Sequence, residues 1–129
     1  MTSTTTDQTA AARMIDAFQA GVPDPDLCLP DATAWHNFDE VDLAIADSFA
    51  MITAILGVVP DFRFDDRRHY QAGADVSVAQ YTLTGTLPDG SPLRIPACLI
   101  VFETQGKVRR IEEYLDMAQL APLAALLGG

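Results

Sequence analysis

Basic residues are scarce in this sequence, with eight Lys and Arg against eighteen Asp and Glu, for a formal charge of −10. Phosphate backbones and anionic lipid surfaces are held by clustered Lys and Arg, so neither a nucleic acid nor a membrane is an expected partner. The one basic pair in "DDRRHY" (65–70) follows directly on two acids. Cysteine is nearly absent as well. Cys28 and Cys98 stand far apart in apolar surroundings, with no CxxC, so neither a zinc site nor a disulfide framework is indicated. Two buried thiols in a reducing cytoplasm are the expectation. An HxxxH pair, an acid cluster with metal-ligand spacing, a Gly-rich phosphate loop and a nucleophile elbow are all missing, so no metal and no cofactor is expected. The longest apolar run, "ACLIVF", is too short to span a bilayer. The opening "MTSTTTDQTAAARM" lacks the basic region and apolar core of a signal peptide, which points to a cytoplasmic protein.

What remains is ordinary globular material. With 129 residues, 49% hydrophobic and 20% charged, the chain can bury a substantial core as one domain. Residues 1–6 read as a Ser/Thr tail and 7–129 as the domain. From Asp7, a candidate cap, the pattern is helical: Met14, Ile15 and Phe18 share a face, and Gly21 with Pro23 ends the run. "DPDLCLP" (24–30) reads as one short helical turn and "DATAW" (31–35) as a short strand. Asp39, with Asp42 three residues on, predicts an N-cap for a helix running to Leu56. Its apolar stripe is Val41, Ile45, Phe49, Ile52 and Leu56, and Gly57 closes it.

Beyond Gly57 the period falls from about 3.6 to 2. "FRFDDRRHY" (62–70), "VSVAQYTLTGTL" (76–87), "LRIPACLIVFE" (93–103) and "KVRRIEEYLD" (107–116) read as strands, joined by turns at "QAGAD", "PDGS" and "TQG". Pro96 predicts a bulge or an unpaired edge in the third of these. "MAQLAPLAALLGG" reads as a short apolar helix containing Pro122. Helices and an antiparallel sheet in this order predict an α+β fold. Its curved sheet would carry the helices across its concave face and leave a one-ended apolar pocket.

Within that frame Glu113 stands out. Alternation along "RRIEEYLD" puts Ile111, Glu113 and Leu115 on one face, and a carboxylate between two apolar neighbours is costly unless it is partnered or opens into a pocket. Desolvation suits a carboxylate to general-base work. In a strand through "AWHN", Trp35 and Asn37 share one face and His36 takes the other; a shift of one residue would bring His36 into the pocket instead. Asn37 also reads as a turn residue before the helix. His69 reads as a solvated or ion-paired strand residue, and Phe18 as core first and pocket wall second.

The layout, with "DATAWHN" after the first helix and "GKVRRIEEYLD" near the end, resembles the nuclear transport factor 2-like superfamily of cone-shaped α+β barrels over residues 8–127. Its members include ketosteroid isomerases, limonene epoxide hydrolases, scytalone dehydratases and SnoaL-like polyketide cyclases. The ketosteroid isomerase positions fall on Met14, Asn37 (or His36 under the shifted alignment) and Cys98, of which only His36 could move a proton. The epoxide hydrolase positions fall on Glu113, Trp35 and Asn37 for the half that holds water. The acid half falls on Gln80 and Thr82, which do not protonate an epoxide. The SnoaL acid–base position is again Glu113. The resemblance implies a pocket with Glu113, Asn37 and His36 as the acid–base and orienting groups. Trp35, Met14, Phe18, Gln80, Thr82, Cys98, Ile111 and Leu115 would line it, and Tyr81 would point outward. It implies cofactor-independent isomerisation, cyclisation or water addition on a small apolar, oxygenated ring compound. The alternative is a non-catalytic ligand-binding or dimerisation module. It also implies a homodimer through the outer sheet face, with "RRIEEY" and Tyr81 supplying the surface.

Overall fold

The computed structural model describes residues 9–128. The tail (1–6) and Asp7 lie outside the described residues. Helix α1, Ala10–Ala20, begins instead on Thr9, whose hydroxyl accepts from the Ala12 N–H at 3.0 Å. Its end is as expected. Gly21 takes a left-handed φ of 73° and returns its N–H to the carbonyls of Ala17 and Phe18.

Strand β1, Cys28–His36, starts earlier than "DATAW", so the segment at 24–30 gives way to a strand rather than forming only a turn. The next difference is larger. Asp39 does not cap a helix: its carboxylate accepts from the Val41 N–H at 3.2 Å, and Glu40 adopts a φ of 54°. That turn folds the chain back so that β2, Asp42–Ala44, pairs antiparallel with β1. Helix α2, Ile45–Val58, starts only after β2, and buries Phe49, Ile52 and Ile55. An Asp before an apolar run signals an Asx-turn as well as an N-cap, because the same short acceptor serves both.

Four long strands follow: β3 (Arg63–Gln71), β4 (Val76–Thr86), β5 (Pro92–Thr104) and β6 (Lys107–Leu115), and α3 (Met117–Leu126) closes the described chain. The six strands form one open sheet in the order β2-β1-β6-β5-β4-β3. Every neighbouring pair is antiparallel except β1–β6, which is parallel. Over the described residues the fold is therefore α+β, a curved sheet with three helices. Helix α1 packs on β3, β4 and β5, α2 on β1 and β2, and α3 on β5. Met14, Ile15, Leu27, Ile95, Leu99 and Ile111 are among the largest fully buried side chains between these layers. Pro96 sits where β6 runs out: its carbonyl accepts from Asp116 N–H at 3.1 Å, beyond the last β5–β6 pair, Ala97 with Leu115. The N–H it lacks would face that same unladdered gap.

Gly85 on β4 marks a close approach. A Cβ built there would lie 2.5 Å from Val59 Cγ1 and 3.4 Å from Phe62 Cα. Val59 is fully buried, so it cannot swing aside cheaply. Gly85→Ala is expected to cost about 1–3 kcal/mol of stability. In a thermal melt that appears as a loss of at least about 3 °C; an unchanged curve would show that the segment at 59–62 yields freely.

Candidate active site

Register alone brings the acid–base groups together. Glu113 on β6 stands opposite Leu99 on β5 and beside His36 on β1. One pair further along, Tyr81 on β4 stands opposite Ala97, which stands opposite Leu115. All of these side chains point to the concave face. The Glu113 carboxylate accepts a hydrogen bond from the Tyr81 hydroxyl through Oε2, and Oε1 lies 3.2 Å from His36 Nε2. His36 and Tyr81 are buried, whereas the Glu113 side chain keeps 15% of its surface. Burial first, then the Glu113 charge and hydrogen bond, push the Tyr81 phenol well above its usual pKa of 10. Tyr81 is therefore a neutral, fixed donor.

Asn37 holds the arrangement from behind. Its Nδ2 donates to the Leu115 carbonyl at 3.1 Å and its Oδ1 accepts from the Leu115 N–H at 3.0 Å. Its own N–H donates to the Glu113 carbonyl at 3.1 Å. The amide copies the backbone of one more strand residue and locks the end of β1 to β6. That lock keeps His36 beside Glu113.

A cavity of about 60 Å³ opens at this point, lined by fourteen residues, of which only His36, Ser48 and Glu113 are polar. Phe18, Ile52, Phe64 and Leu83 are among its apolar walls. It adjoins a groove of about 580 Å³ between α2 and α3, with Phe38, Met51, Ile55, Leu120 and Leu123 lining both spaces. The inner cavity exceeds the volume a single water needs, and the groove is of ligand size. Tyr81 does not line the cavity, so Glu113 stands between it and any occupant. Two polar atoms there, His36 Nδ1 and Ser48 Oγ, are buried without a partner among the described residues.

The residues expected from sequence divide clearly. Glu113, His36, Phe18 and Leu115 line the cavity. Met14 and Ile111 are fully buried core outside its lining, Met14 with its sulfur 3.6 Å from the Cys28 thiol. Trp35 is on the opposite face, paired with Glu112 and 5.3 Å from the Tyr114 ring, so it does not wall the cavity. Asn37 is spent on backbone. The shifted alternative, with His36 inside, describes the observed strand. Gln80, Thr82 and Cys98 alternate with the inward Ala79, Tyr81, Ala97 and Leu99, which puts them on the outer face. Tyr81 correspondingly points in, not out. Ser48, from the first turns of α2, was not anticipated.

A signal for Tyr81 existed. Arg94 in "LRIPACLIV" must face out, which turns Ile95, Ala97 and Leu99 in. Counting back across the Asp89-Gly90 turn, where Leu87 N–H meets Ser91 O, pairs Tyr81 with Ala97. The pair fixes the face.

No family model matches the chain, and no curated protein matches it. Solved structures do. The chain is similar to IdmH, a proposed polyketide cyclase from Streptomyces antibioticus, at 15% identity over 90% of this chain and 96% of that one, with a TM-score of 0.73. A proposed SnoaL-like polyketide cyclase from Jannaschia sp. CCS1 matches at 17% identity over 97% and 94% of the two chains, with a TM-score of 0.71. A protein of ketosteroid isomerase-like fold from Catenulispora acidiphila matches at 10% identity over 92% and 93%, with a TM-score of 0.70. The chain shares the fold of these SnoaL-like and ketosteroid isomerase-like structures.

Proposed function

We propose that this chain, which has the SnoaL-like cone fold, is a small-molecule enzyme whose proton acceptor is Glu113. The observation that carries this reading is a carboxylate that accepts from Tyr81, lies 3.2 Å from His36 Nε2 and opens into a largely apolar cavity. These contacts fix the carboxylate's rotamer, and the apolar walls deprive it of solvating water, so a carbon acid beside a carbonyl meets an oriented base. Glu113 takes the proton, becoming neutral, and can return it to another atom of the same bound molecule. That sequence suits isomerisation or ring closure; with a water in place of the carbon acid it suits hydration. The substrate class is an apolar, oxygenated ring compound, and the neighbours' names as polyketide cyclases point the same way.

A binding module is the second reading, and the modest volume around Glu113 favours it. The two separate on one experiment. A set of enones, epoxides and polyketide-like aromatics is incubated with wild type and with Glu113→Gln, following both thermal shift and turnover. Turnover lost in the variant supports the enzyme. Tight binding without turnover in either protein supports the module.

The outer sheet face carries Trp35, Tyr114, Tyr70, Ile100 and Cys98, with Tyr70 50% and Tyr114 43% exposed. We propose that this face pairs with a second copy of the chain, with Tyr81 taking no part. Light scattering at micromolar concentration is expected to give a dimer, and Ile100→Asp, a charge at the centre of the face, a monomer. A monomeric wild type would contradict the proposal.

A further inference from the structure

The cavity contains two polar atoms with nothing to do. Ser48 is 4% exposed and His36 6%, yet Ser48 Oγ and His36 Nδ1 have no hydrogen-bond partner among the described residues. A serine in a helix usually satisfies its hydroxyl on a carbonyl one turn back; Ser48 does not. An unsatisfied buried group forfeits its hydration, so a pair of them lining one cavity favours a polar occupant. Their chemistry is complementary. With Nε2 turned to the Glu113 carboxylate, the free Nδ1 of His36 can accept a hydrogen bond, and the Ser48 hydroxyl can donate one. A group that both donates and accepts at one oxygen satisfies both.

Size adds the orientation. The inner cavity, about 60 Å³, takes an oxygen and the edge of a ring but not a whole bicyclic body. The adjoining groove of about 580 Å³ between α2 and α3 is lined by Ala54, Met117, Ala121, Ala124 and other apolar residues, and it can take the rest. We propose that Ser48 and His36 Nδ1 form a hydroxyl-reading subsite, and that the ligand is a phenol or enol of a fused, apolar ring system. It enters oxygen first, with its body held between α2 and α3. This rests on the reading of the cavity as the ligand site and narrows it to one functional group and one direction of entry.

The subsite is tested with 2-naphthol, 2-methoxynaphthalene and naphthalene, titrated calorimetrically into wild type, Ser48→Ala and Ser48→Thr. Methylation removes the donor and keeps the ring. Wild type is expected to bind 2-naphthol about tenfold more tightly than either analogue, because the analogues leave buried polar atoms unpaired. Ser48→Ala, which removes the donor to the ligand oxygen, should lower the preference over naphthalene to about threefold or less with naphthalene affinity unchanged and leave the preference over 2-methoxynaphthalene, which reads the His36 acceptor; Ser48→Thr should keep both. Naphthalene binding with no hydroxyl preference in wild type would overturn the subsite and leave the cavity reading intact. A preference over naphthalene that survives undiminished in Ser48→Ala would remove Ser48 from it. If none of the three binds, the cavity reading falls, and the subsite falls with it.

Discussion

Glu113→Gln is expected to lower kcat by a factor of roughly 10² to 10⁴ on any substrate the protein turns over, with little change in KM. The substitution keeps the shape of the side chain and one carbonyl oxygen, so the Tyr81 hydroxyl retains an acceptor. What disappears is the ability to take a proton. The new amide also sets an NH₂ group near His36 Nε2, where Oε1 lies at 3.2 Å in wild type. Either the amide flips or His36 shifts its proton to Nδ1, and both are local adjustments. A melting curve close to wild type is therefore expected beside the loss of turnover. Tyr81→Phe provides the contrast, since it leaves the base and removes one clamp. It should reduce kcat far less, by about tenfold, because a carboxylate that keeps its His36 contact is still a positioned base. Equal losses in the two variants would mean that Tyr81 itself exchanges the proton. No loss in Glu113→Gln would remove Glu113 from the chemistry.

The sheet and its hairpins are readable from the chain because each rests on local rules: period-2 alternation, Asp89-Gly90 at a turn where Gly90 takes a φ of 90°, and Gly21 ending α1. Glu113 is readable for the same reason, since Ile111 and Leu115 flank it on a strand with no bulge between them. His36 against Trp35 is a different kind of question. Both are aromatic neighbours on β1, and the face each takes is settled by a parallel pairing with β6 that lies 77 positions away, as in His36 with Glu113. Side-chain size favours Trp35 for the interior. The structure instead places it on the outer face against Tyr114, where a partly exposed aromatic pair is stable. β2 is hidden because three residues carry no period, and the Asp39 turn chemistry before it is shared with helix caps. Family analogy misplaced Tyr81, Gln80 and Cys98 together by one residue, and a slip of one exchanges both faces of a strand.

Stability is expected to fall with rising pH above about 9, and more steeply above 10, with Tyr81 responsible for the second part. In the unfolded chain the Tyr81 phenol loses its proton near pH 10, whereas in the folded chain burial and the Glu113 charge hold that proton to well above 10. Its contribution is thus complete below pH 10 and is lost as the pH climbs toward the folded value. Over that interval the unfolded state binds fewer protons than the native one, and each pH unit costs about 1.4 kcal/mol for this one group. The thiols of Cys28 and Cys98 act in the same direction from about pH 9, since burial raises both from their usual 9.0, with the Glu113 charge adding to the rise at Cys98. Urea unfolding between pH 8 and pH 11 separates the contributions. Tyr81→Phe starts lower near neutrality, because the Glu113 carboxylate loses a buried donor worth about 1–3 kcal/mol. Its curve should then fall less steeply above pH 10 by one proton's worth, so that the two proteins converge as the pH rises. Parallel curves would show that the Tyr81 hydroxyl ionises alike in both states, which is incompatible with a buried phenol hydrogen-bonded to a carboxylate.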